Sequence, residues 1–198
     1  MALVAAQRLN GVPEGDRAEL VRIGRVLQYV HAVHVALTQV QDAIVFPLVY
    51  TAATAVNALG PARGPAAPSA PVSTSLAGGG LIPGAMLRTL EQQLVGGETS
   101  SALTTARRYM QIGHSARALA GIAGGVAAMH DTTAGDDYAL YAMPQLAAAA
   151  GEFLSMPAAL AQNGQNALLS AMIRLAAELR GPHAVADSVN AAIDARVR

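Results

Sequence analysis

Apolar residues recur in steps of three and four over long stretches of the chain, and they rarely alternate strictly with polar ones. Steps of three and four collect side chains on one face of an α-helix, whereas alternation would mark a strand. The longest series runs through Leu20, Ile23, Leu27, Val30, His34, Leu37, Gln41, Ile44 and Leu48. It forms a heptad-like seam, widened by Val26, Val33 and Val40. The pattern predicts one long helix over about 17–59. Asp16 is its expected N-cap, with Glu19 at capping-box spacing. Pro47 is expected to kink or split it, because proline removes a backbone donor and crowds the preceding turn. The two polar members of the seam, His34 and Gln41, are read as buried residues that fix helix register, a role buried polar groups take in coiled coils.

The same spacing lays out the remaining elements. Residues 2–9 read as a short helix ended by Asn10-Gly11. Met86, Leu87, Leu90 and Leu94 define a helix over 84–95, stopped by Gly96-Gly97. The stretch from about 98 to 131 reads as a single long helix capped by Thr99 or Ser100. Its second half carries small residues at every fourth position (Ala116, Ala120, Gly124 and Ala128), with Gly121 and Gly125 in a second row. Rows of this kind let two helix backbones approach closely. Residues 138–143, 145–154 and 157–162 read as helical pieces broken at Pro144 and Pro157, with "NGQN" as a further interruption. A helix over 166–180 turns Leu168, Met172, Leu175 and Leu179 inward, and Gly181-Pro182 stops it. The last helix, 183–198, has a narrow stripe of Val185, Val189, Ile193 and Val197. These elements make an all-α multi-helix bundle with one long kinked N-terminal helix and an extended Pro/Gly-rich arm. The expected organisation is a helical segment over 1–59, the arm over 60–83 and a helical bundle over 84–198, together forming one domain.

The composition is unusual in one respect. Charged residues make up 13% of the chain and hydrophobic ones 53%, while soluble domains carry about 25% charged residues. Part of the surface is therefore expected to be hidden by something other than the chain's own fold. All 13 basic residues are Arg, and the net charge is zero. Nucleic-acid contact through Arg is open but not indicated, since no aromatic residues interleave with the Arg pairs. The start of the chain lacks the basic flank and apolar length of a secretion signal. Residues 43–62 are uncharged and approach the length of a membrane span, but Thr51, Thr54 and Asn57 make a buried helix the preferred reading and a membrane partner the lesser one.

Catalytic chemistry finds little support. The absence of Lys excludes a phosphate-loop lysine and a Schiff base, and the absence of Cys excludes thiolate catalysis and cysteine-ligated zinc. No GxSxG or HExxH occurs. His31 and His34 lie three apart, but they lack the carboxylates of a helical metal site. His130, Asp131, Asp136 and Asp137 gather around one loop, where turn and capping roles account for the aspartates. The expectation is a non-enzymatic protein without cofactor or metal.

These features converge on a structural, self-assembling subunit of the helical viral or phage coat or shell kind, in a virion or a cytoplasmic assembly. Its partners are copies of itself and possible companion shell proteins. The expected subunit contacts are Pro65, Pro68, Pro71, Val72 and Leu76 in the arm, with Val189, Ile193 and Val197 in the last helix. The alternatives are a membrane- or lipid-associated helical protein and a helical domain that binds a small ligand.

Overall fold

The computed structural model describes residues 1–40, 44–61, 83–128 and 138–178. Among them the chain forms eight α-helices and no strand. These are α1 Ala2–Asn10, α2 Arg17–Leu37, α3 Val45–Asn57, α4 Pro83–Gly96, α5 Thr99–Gln111, α6 Ala116–Ala128, α7 Tyr138–Glu152 and α8 Ala158–Glu178. A short 3₁₀ turn, Phe153–Ser155, joins the last two.

Helix α8 is the centre of the bundle. From Leu168 to Ala177 every residue is buried, the signature of a helix packed on all sides. Helices α1, α5, α6 and α7 lie against it. Leu9, Leu20, Leu27, Leu90, Leu119, Leu146 and Leu168 are fully buried in one shared core. Alanines fill much of the rest, with Ala5, Ala102, Ala123 and Ala150 fully buried. Helix α6 packs most closely on α7. Ala116, Ala120 and Gly124 of its small-residue row are buried, while Gly121 and Gly125 face open space.

The expected long helix over 17–59 is two helices. Helix α2 stops at Leu37 and α3 starts at Val45. The chain folds back, so that the Tyr29 hydroxyl lies 2.8 Å from Thr51 Oγ1 and Arg22 Nη2 donates to Leu59 O at 3.4 Å. Size gives the reason: an unbroken helix of that span would be about 65 Å long, roughly twice its longest neighbour. Folding back buries Ala52 and Val56 of α3. The helix is split as expected near Pro47, but the break falls between Leu37 and Val45, and Pro47 itself kinks neither helix. It sits in the first turn of α3, where a missing N–H has no partner to lose. Asp16 does cap α2, its Oδ1 accepting from Glu19 N at 3.1 Å. The Glu19 carboxylate pairs with Arg22 Nε and Nη2, both at 2.7 Å.

The expected helix over 98–131 is also two. Gly113 takes φ +90. His114 N donates to Tyr109 O at 3.3 Å, and Gly113 N to Met110 O at 2.9 Å. This is a Schellman ending with glycine in the left-handed position. The Tyr109 and His114 rings pack across it, 4.6 Å between centroids. Gly97, at φ +76, ends α4 with the same pattern, Glu98 N donating to Gln93 O at 2.8 Å. Glu98 then serves as N-cap of α5 through its backbone, displacing the expected Thr99 or Ser100.

Two expected breaks are absent. Helix α7 runs through Pro144, whose ring lies on the exposed side while Met143, Leu146 and Ala147 hold both halves in the core. Packing there outweighs the lost hydrogen bond. Helix α8 runs through the NGQN stretch, because Gly164 is buried beneath the ring of Phe153.

Candidate functional site

The residues singled out by pattern fall largely outside the described part of the molecule. Pro65, Pro68, Pro71, Val72 and Leu76, then Val189, Ile193 and Val197, and also Gln41, Leu179, His130, Asp131, Asp136 and Asp137, all lie outside the described residues. His34 is described, and it is exposed, so it is no buried register residue. The turn of α2 explains this. Val30 and Val33 are buried, and the seam leaves the core beyond them.

His31, one turn earlier, takes the more enclosed place, with Nδ1 buried and unpartnered. Burial holds its pKa below the ordinary 6.5, neighbouring His34 adds to the effect, and the nearby Gln145 amide opposes it. The folded protein thus prefers neutral His31, while the unfolded chain takes up a proton at the ordinary value. His31 stabilises the fold fully above pH 6.5, and that contribution is lost as pH falls through the lower folded value. The urea midpoint should therefore decline on acidification below 6.5, and His31→Gln should flatten that part of the profile. An unchanged slope in the variant would assign the loss to other groups.

The feature that stands out from the fold is α3. Residues 44–61 carry no ionisable acid or base other than the Tyr50 hydroxyl. In α3, Ala52 and Val56 are the buried residues, and the helix packs chiefly on α2. Ile44, Phe46 and Tyr50 point outward, with Phe46 76% and Tyr50 62% exposed. Their position follows from helical spacing. Ala52 and Val56 are four apart and face α2, and Phe46 and Tyr50, also four apart, lie on another face. The two rings stack at 6.2 Å with planes 23° apart. Thr51 and Thr54 turn their hydroxyls onto Leu48 O and Tyr50 O, both at 2.9 Å. That internal bonding leaves their methyl groups as part of an apolar face. A second set of exposed apolar residues, Leu154, Met156 and Leu160, lies around the start of α8.

Two arginines are buried. Arg174, 9% exposed, donates from Nη1 to Leu9 O at 2.8 Å, Val12 O at 2.9 Å and Asn10 O at 3.3 Å. Its Nε meets Glu178 Oε1 at 2.7 Å. The cation thus closes the C-terminal end of α1, where carbonyls lack helical partners and the dipole is negative. Asn10 adds a bond from Nδ2 to Ala167 O at 2.8 Å. Arg107 is also 9% exposed. It turns inward between α5 and α8.

Among the described residues no three His, Asp or Glu side chains gather as a metal site, and no helix is long and apolar enough to cross a membrane. No protein-family model matches the chain, and no curated protein or solved structure shows significant similarity to it. Fold and surface together define the class: an all-α bundle that displays an uncharged, aromatic-bearing helix on its outside.

Proposed function

We propose that this chain is a structural, self-assembling subunit of the coat or shell kind, and that the outer face of α3 is one of its contacts with a second copy. The observation that carries the reading is the exposed, stacked Phe46–Tyr50 pair on an uncharged helix. Burying such a face between copies removes apolar area from water without stripping any charge of its hydration. Aromatic anchors of this type commonly dominate binding energy. The low charge of the whole chain supports the same reading. The arm and the last helix, expected above to supply further contacts, remain part of the proposal on sequence grounds alone.

Size-exclusion chromatography with light scattering tests it. The wild-type chain should elute as multiples of 20.1 kDa. Phe46→Asp with Tyr50→Asp should shift it to the single-chain mass while leaving helical circular dichroism intact. Each change should weaken association at least about thirtyfold, the equivalent of a hot-spot residue. A wild-type chain that stays at single-chain mass at high concentration would overturn the reading.

A lipid-surface role would use the same helix. Helix α3 is only about 20 Å long by its 13 residues, and it carries no basic residue to meet an anionic membrane. Flotation with anionic vesicles separates the two: a shell subunit stays with the unbound fraction.

A further inference from the structure

Arg107 differs from Arg174 in having no carbonyl or carboxylate partner among the described residues. Arg174 has three carbonyls and a carboxylate. Arg107 Nε is buried without a hydrogen-bond partner. Desolvation alone shifts its pKa, downward, and no carboxylate among the described residues opposes that. A buried guanidinium nitrogen without a hydrogen-bond partner is costly. The described residues supply no counter-charge to it, and a bound anion would.

Space for that counter-charge is present. Arg107 lines a cavity of about 210 Å³ between the end of α5 and the first half of α8. Its polar walls are the amides of Gln111, Gln162, Gln165 and Asn166, with Leu169 on the apolar side. Gln165 Nε2 is itself buried and unpartnered. The volume corresponds to about seven waters at ~30 Å³ each, which suits a ligand of a few heavy atoms.

We propose that this cavity binds a small polar monocarboxylate, with the Arg107 guanidinium holding the carboxylate and the surrounding amides meeting its hydroxyl or amide groups. Charge selects the class: one cation among neutral amides balances a monoanion, and a phosphate dianion would leave an excess negative charge in a half-closed site. Shape agrees, since the planar guanidinium fork matches a carboxylate edge. The amides can both donate and accept, so a carboxylate with a further polar group should bind better than a plain one.

Thermal unfolding of the full chain in matched sodium salts tests this, with lactate, acetate, phosphate and chloride as probes. Lactate at a hundredfold excess over its Kd should raise Tm by about 5–10 °C over chloride, acetate should act less strongly, and phosphate least. Arg107→Met should abolish the lactate effect while leaving Tm in chloride equal or higher, because the variant removes an unpaired charge. Gln162→Leu changes an exposed wall residue and should reduce the lactate shift without loss of fold, so the test stands even if Arg107→Met misfolds. Equal Tm in lactate and chloride, an undiminished lactate shift in either variant, or a larger shift in phosphate would overturn the proposal. None of these readouts depends on α3, so the assembly reading and this one can fail separately.

Discussion

Arg174→Met should destabilise the protein by about 3–5 kcal/mol, the usual consequence of removing one partner of a buried ionic cluster. The side chain joins elements far apart in the chain, binding carbonyls of residues 9, 10 and 12 from position 174. Methionine fills a similar volume, so the loss is chiefly electrostatic. Three acceptors at the end of α1 lose their charged donor, and Glu178 loses the cation that Nε presents at 2.7 Å. The carbonyl of Leu9 is the most enclosed, since its bond to Arg174 is buried. Arg174→Lys keeps the charge but lacks the fork that reaches both Glu178 and the carbonyls, and it should fall between the two. Urea unfolding followed at 222 nm reads the difference, as a lower midpoint with unchanged slope. Adding Glu178→Gln to Arg174→Met should recover part of the loss, because it removes the stranded carboxylate. A variant within about 0.5 kcal/mol of wild type, the range of ordinary surface changes, would show that water replaces the guanidinium without cost.

Helical periodicity made most of the architecture legible, and its failures have physical causes. Helices α1 and α4 end where Asn10-Gly11 and Gly96-Gly97 said they would. The break after Gln111 was also visible in principle. Gly113 is a left-handed stop, and Ser115 two residues on accepts from Arg117 N at 3.2 Å at the start of α6. The turn after Leu37 left no such mark, because Thr38 to Val40 contain no glycine or proline. That break answers to the size of the bundle, which local pattern does not encode. The two buried arginines were equally hidden. An Arg within a helix usually faces water, and the carbonyls that hold Arg174 lie more than 160 positions away. The pair Arg174 and Glu178 at i,i+4 was readable, but nothing local said that it was inside. The exposed face of α3 was misread in the opposite sense. An uncharged run was expected to be a buried helix, and the fold leaves much of it in view.

Gly164→Ala should destabilise the fold by about 1–3 kcal/mol, although alanine is the better helix former. Glycine at an interior helical position ordinarily costs about 0.5–1 kcal/mol relative to alanine, so replacing it at an open site would stabilise. Gly164 is buried, and a Cβ there would stand 2.6 Å from both Cδ1 and Cζ of Phe153, overlapping Cε1 as well. The ring cannot swing away freely, because Phe153 belongs to the 3₁₀ turn between α7 and α8 and packs against the core. Accommodating the methyl group means moving that turn or displacing α8, which carries the centre of the bundle. The sign of the effect can be tested by removing its cause. In a Phe153→Ala background, where the ring atoms are gone, Gly164→Ala should become neutral or stabilising by up to about 1 kcal/mol through helix propensity alone. The coupling between the two substitutions in a double-mutant cycle, read from urea midpoints, then measures the overlap directly. Additive effects would mean that the ring and the helix adjust independently, and the glycine would need another explanation.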